Sequence, residues 1–184
     1  MKNYIAFLLL LFVPITSISA QSIPSVTFLN ALKKHCGKAF IGKIVSNPVP
    51  KDFEGKELIM YVMSCEADEV KIPFFVGDDH SRTWIFTLKE DRLTLKHDHR
   101  QTNGKEEKIT MYGGTATNTG LEQVQFFPAD QHTADLIATI AGNVWWTEVN
   151  KELFSYNLKR VDKEGSFRVE FDLSKPIQTD KRPW

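Results

Sequence analysis

The connections in this chain are too short for anything but an antiparallel fold. Strand-like runs at 38–46, 57–66, 70–76, 82–89, 92–100, 107–116, 121–127, 143–150, 152–161 and 166–173 are mostly joined by two to five residues. A parallel crossover needs a dozen residues or more, so consecutive runs must lie beside each other as antiparallel neighbours. The last run shows the alternation most clearly: Phe167, Val169, Phe171 and Leu173 face one way, Arg168, Glu170 and Asp172 the other. Such a strand has one dry and one wet face. Two segments read as helices. Pro24 to Cys36 places Val26, Phe28, Leu29, Leu32 and Cys36 on one stripe, with Ser25 in the N-cap position and Gly37 as the stop. Asp130 to Ala141 follows Pro128, carries Leu136, Ile137 and Ile140, and ends at Gly142.

A sheet of this many strands must hide its edges, and closure does that completely. The expected fold is therefore all-β: a calycin-like antiparallel β-barrel of about eight to ten strands, with two short helices, the first plugging or flanking one end. A two-sheet β-sandwich is the alternative.

The segment Arg82 to Arg100 fixes its own register. A two-residue turn at Glu90-Asp91 pairs Leu88 with Leu93, Phe86 with Leu95, Trp84 with His97 and Arg82 with His99. All eight then share one face, because side chains alternate along a strand. The other face, Thr83, Ile85, Thr87, Lys89, Arg92, Thr94, Lys96 and Asp98, is mostly polar. The inward row is apolar through Trp84, Phe86, Leu88, Leu93 and Leu95 and ends in Arg82, His97 and His99. A polar end on an apolar interior is the general pattern of a small-molecule site. It suits a ligand with a charged head and an apolar body. Asn103-Gly104 signals a second hairpin. A two-residue turn there adds Lys108, Thr110 and Tyr112 to the histidine face; a one-residue bulge adds Ile109 and Met111 instead. The candidate ligand-binding set is Arg82, Trp84, Phe86, His97, His99 and Tyr112.

His97-Asp98-His99 also places two imidazoles on one side of a strand, where they can reach one transition metal. Further ligands would have to come from His80, His35, His132 or an acidic residue, and none has diagnostic spacing. The cupins carry a similar HxH on a barrel strand. Here Glu106 and Gly113 match the cupin spacing to each other, but His99 to Glu106 is too long and Asp91 stands where that pattern has a glycine. No GxSxG, phosphate-binding glycine loop, CxxC or HExxH is present. Asp78 and Asp79 read as turn residues rather than an acid–base pair. Met111-Tyr112-Gly113-Gly114 reads as a strand end where glycines allow a close approach. Nothing specifies a reaction.

The segments Gly77-Asp78-Asp79-His80-Ser81-Arg82-Thr83-Trp84, Leu95-Lys96-His97-Asp98-His99-Arg100 and Thr110-Met111-Tyr112-Gly113-Gly114 resemble an uncharacterised group of small secreted bacterial proteins, as does the closing run Phe167 to Leu173. The resemblance implies bacterial origin, export and a single β-rich domain, and it brings no catalytic assignment. The GxW motif that opens the lipocalins is absent.

Export is expected from the first residues as well. Lys2 precedes the apolar run Tyr4 to Val13, then Pro14, then Ser17-Ile18-Ser19-Ala20. That order describes a secretory signal peptide over 1–20 with cleavage before Gln21. The apolar core falls short of the roughly 20 residues a membrane span needs, so no stable anchor is expected after cleavage. The remaining 164 residues form one expected domain with 22 basic and 23 acidic side chains. Such a balance, with no basic block, argues against nucleic acid as a partner, and no basic amphipathic helix favours a membrane surface. In the periplasm or outside the cell, Cys36 and Cys65 are expected to form a disulfide. Two functions remain open. One is an exported module for a small amphipathic or anionic ligand. The other is an interaction or inhibitor domain that meets a protein partner through the loops 77–81, 101–106 and 113–120. A metal centre at His97 and His99 is a third, weaker reading.

Overall fold

The computed structural model describes residues 22–184; the expected signal peptide at 1–20 lies outside the described residues. Helix α1 (Pro24–Lys33) comes first. The strands are β1 (Ala39–Ile44), β2 (Leu58–Tyr61), β3 (Ser64–Cys65), β4 (Glu69–Val76), β5 (Asp79–Lys89), β6 (Arg92–His99), β7 (Tyr112–Thr115), β8 (Val124–Pro128), β9 (Asn143–Val149), β10 (Leu153–Arg160) and β11 (Phe167–Asp172). Helix α2 (Gln131–Leu136) lies between β8 and β9, and single 3-10 turns occupy Lys51–Phe53 and Ala138–Ile140. All eleven strands belong to one antiparallel sheet. Its path runs β7-β6-β5-β4-β2-β1-β11-β10-β9-β8, and β3 pairs with β4 off that path. The sheet curls until β7 and β8 meet, which makes a nearly closed barrel rather than a sandwich.

The β5–β6 hairpin has the register expected from sequence, from Leu88↔Leu93 to Arg82↔His99. Its turn residues Glu90 and Asp91 have φ of 49° and 57°, the doubly positive geometry that suits the twist of a two-residue hairpin. Trp84, Phe86, Leu93 and Leu95 point into the core and are buried. On the outer side Thr83 and Ile85 are buried too, in a groove bordered by Pro183 and Trp184. The final segment thus covers part of the face that reads as mostly polar in sequence. Ile177 bonds to Ala39 and packs with Ile59 and Phe75 outside the barrel.

Helix α1 closes one end of the barrel. Phe28, Leu29 and Leu32 are almost fully buried in the interior cluster, and each such side chain contributes about 1.5–3 kcal/mol by leaving water. Ser25 does not cap the helix. Ile23 holds that position and Pro24 opens the first turn, while the Ser25 hydroxyl donates to the Asp91 carbonyl at 2.7 Å and ties α1 to the β5–β6 turn. The Cys36 and Cys65 sulfurs lie 2.10 Å apart, linking the turn after α1 to β3.

The seam between β7 and β8 depends on backbone proximity. Any Cβ at Gly114 would overlap the Pro128 carbonyl oxygen, and one at Gly113 would overlap that of Leu95. Thr133 of α2 stands in for a strand here: its hydroxyl receives the Gly113 N–H at 2.7 Å and donates to the Gly113 carbonyl at 2.8 Å. Asp130 caps α2 by accepting from the Thr133 N–H at 2.9 Å. It also pairs with Lys96 of β6 at 2.5 Å. The predicted second helix is shorter than its apolar stripe suggests, because Ile137 leaves helical geometry at φ −141° and ψ 84°.

Two outcomes are expected from this architecture. Replacing both cysteines with serine should lower stability by roughly 3.5 kcal/mol, the chain-entropy value for a loop of this size; urea melts with and without reductant measure it, and the variant should ignore the reductant. Thr133→Val keeps the shape but leaves the buried Gly113 N–H unpaired. It should cost about 1–3 kcal/mol in the same melts.

Candidate functional site

The open end of the barrel lies opposite α1, and β10 shows how it is built. Tyr156, Leu158 and Arg160 point the same way along this strand, and they grade from buried phenol through half-buried leucine to exposed guanidinium. Across the mouth, β5 repeats the grading with Phe86, Trp84 and Arg82. Both rows are apolar where the barrel is deep and cationic where it meets water.

Two lobes of one depression occupy this mouth. The smaller, about 370 Å³, is walled by Phe53, Phe74, Trp84 and Phe167. The larger, about 760 Å³, is walled by Trp145, Ile137 and Ile140, with Glu107 and Lys108 on its lip. His99, Tyr112, Tyr156, Leu158 and Arg160 line both lobes and form the waist between them. Trp84 makes the floor, stacked on Tyr156 at 4.5 Å and on Phe74 at 4.7 Å between ring centres.

Of the six residues singled out by sequence, five meet here: Arg82, Trp84, His97, His99 and Tyr112. Phe86 does not. It packs on Phe28 and Phe127, fully buried in the interior cluster, because two residues along β5 carry it past the cavity floor. Tyr112 pairs with His97 across β6–β7, though by neither simple register from Asn103-Gly104. Arg100 pairs with Glu106, and the residues after it loop out before Met111 turns back with φ 57°. Thr110 consequently leaves the histidine face and bonds Asp98 at 3.1 Å.

His97 is a satisfied core residue. Its Nδ1–H donates to the Tyr112 carbonyl at 3.0 Å, and its Nε2 accepts from the Tyr156 hydroxyl at 2.7 Å. One neutral tautomer fills both bonds. Burial pushes its pKa down to about 3. His99 is less enclosed and shares a 3.0 Å hydrogen bond between Nε2 and the Tyr112 hydroxyl. Burial and then Arg82 lower its pKa, against Asp79, Asp98 and Glu107. Arg82 is held by Asp79 at 2.5 Å. Burial opposes ionisation of Asp79, but hydrogen bonds from Ser81 and the Arg82 charge outweigh it and keep the carboxyl below its usual range. A metal at His97 would have to displace the Tyr156 or the Tyr112 bond. Among the described residues no three His, Cys, Asp or Glu side chains are grouped to hold one.

Tyr156, Leu158 and Arg160 were missed by the sequence reading. The signal was present: 152–161 is an apolar row that ends in a cation, the same pattern that drew attention to Arg82.

The His97 environment predicts a pH effect. The folded state keeps this imidazole neutral far below the ordinary histidine value, whereas the unfolded chain protonates near 6.5. Below that pH the unfolded state binds the extra proton, so stability is complete above about pH 7 and falls toward pH 3. Its slope approaches about 1.4 kcal/mol per pH unit from this one group. In His97→Gln the acid limb of a stability–pH curve should flatten by that amount.

No protein-family model, curated protein or solved structure matches the chain.

Proposed function

We propose that this protein is an exported binding module for a small amphipathic anion, held at the open end of the barrel. The observation that carries the reading is the two-lobed depression itself, whose shared waist sets Arg160, His99 and Tyr112 above an aromatic and aliphatic floor. An apolar body desolvates against Trp84, Tyr156 and Leu158, while the head stays with the rim cations at partial exposure. His97 and Tyr156 contribute by fixing each other, so the floor is formed before any ligand arrives. Export is supported by the apolar run Tyr4 to Val13 and by a disulfide that an oxidising compartment maintains. No helix among the described residues is long and apolar enough to cross a membrane. A purely loop-borne interaction domain would have no use for such a cavity, which favours the ligand reading over the protein-partner one.

Native mass spectrometry of protein purified from an oxidising compartment, set against its denatured mass, is the direct test. An excess mass that disappears on denaturation is the expected result. Added decanesulfonate should also bind saturably and change the fluorescence of Trp84 and Trp145. Leu158→Trp, which fills the waist, should weaken that binding by about tenfold or more. The absence of both an excess mass and saturable binding would overturn the proposal.

A further inference from the structure

We propose that the ligand carries a single negative charge, as a carboxylate or sulfonate on one aliphatic chain, and that Arg160 is the residue that selects it. This rests on reading the barrel mouth as a ligand site.

The argument begins with which charges are already spent. Arg82 is committed to Asp79 at 2.5 Å, and Arg100 to Asp98 at 2.9 Å and Glu106 at 3.3 Å. Arg160 and Lys108 make no side-chain hydrogen bond or ion pair among the described residues, and of the two only Arg160 lines both lobes. A guanidinium kept at a cavity lip without a partner is the group an incoming carboxylate can bridge through two parallel hydrogen bonds. The Arg82–Asp79 pair offers less, because an anion must first compete with the Asp79 carboxylate.

The same accounting limits the ligand to one charge. Asp52 borders the smaller lobe and Glu107 the larger. Neither carboxylate is paired among the described residues; Lys108 shares the lip with Glu107 and offsets it, which leaves Asp52 to repel a second negative charge. A phosphate monoester, close to doubly charged above neutral pH, would gain Arg160 and face Asp52.

Orientation and chain type follow from β10. Arg160 is outermost, Leu158 one step in and Tyr156 at the floor, so the head sits at the rim and the body points inward. The walls of the larger lobe beside Leu158 include Ile137 and Ile140. These aliphatic side chains suit a flexible chain, where a rigid ring would need a flat slot.

Calorimetric titration at pH 8 with decanoate, decyl phosphate, decyltrimethylammonium and decan-1-ol tests this on the intact exported protein. Decanoate should bind about tenfold or more tighter than the phosphate or the cation, as one charge-assisted contact allows. Arg160→Gln should weaken decanoate by about the same factor and leave decan-1-ol unchanged. Arg160 is exposed and unpaired, so this variant is expected to fold. Asp52→Asn should tighten decyl phosphate selectively. If decanoate binds but Arg160→Gln matches the parent, or the phosphate binds as well as decanoate, the inference falls and the ligand site stands. If none of the four probes binds, the inference falls; with no excess native mass either, the ligand reading falls with it.

Discussion

The barrel exists because two sheet ends meet at Gly113, Gly114 and Pro128. An open sheet with this curvature would leave unpaired N–H and C=O groups along β7 and β8, which invites pairing with other chains. Strand hydrogen bonds alone do not complete the seam. The Thr133 hydroxyl satisfies both backbone groups of Gly113, the Asp130 N–H reaches the same carbonyl at 3.0 Å, and the Lys96–Asp130 pair holds α2 in place. Removing either glycine's freedom forces backbone apart from backbone. The interior cluster, from Phe28 at one end to Tyr156 near the other, can be dry only if this seam is shut.

Polarity inside the barrel is graded along its axis. The α1 end is closed by phenylalanine and leucine, and the buried Ser25 hydroxyl there bonds to backbone, at the Asp91 carbonyl. Toward the mouth, polar groups enter in a fixed order. His97 and Tyr156 come first and satisfy each other, His99 and Tyr112 do the same one layer out, and the arginines stand at the rim. The pairing within each layer lets so many polar groups sit close to an aromatic floor, and the Thr147 hydroxyl, opposite Tyr156 on β9, is the buried group left without a partner beside them.

The strands were legible in the sequence because each carries its own alternation and short turn. The β5–β6 hairpin was readable down to individual pairs, since lengthening the Glu90-Asp91 turn by one residue would put Trp84 and Phe86 on the face of Thr94 and Lys96. Less legible was whatever depends on distant segments. The loop before β7 departs from a simple hairpin because Thr110 is drawn to Asp98 and to the His99 N–H, an attraction no local pattern encodes. The burial of Ile85 depends on a segment some hundred positions downstream. The candidate site was half visible: β5, β6 and β7 supplied its histidines and Arg82, but sequence gave no reason to set Arg160 opposite them. Phe86 was misplaced for a related reason. Periodicity assigns a face, whereas depth along the barrel axis comes only from the closed structure.

Helix α1 is stitched down three times, by its buried leucines and phenylalanine, by Ser25 on the β5–β6 turn, and by the Cys36–Cys65 bond behind it. The barrel is therefore a cup and not a pipe. Under the proposed reading, a ligand entering at Arg160 would have to leave past Arg160, and two molecules would exchange only by one making way for the other at the same lip. A vessel of that form would store a molecule or hand it over face to face, but would not pass one through itself.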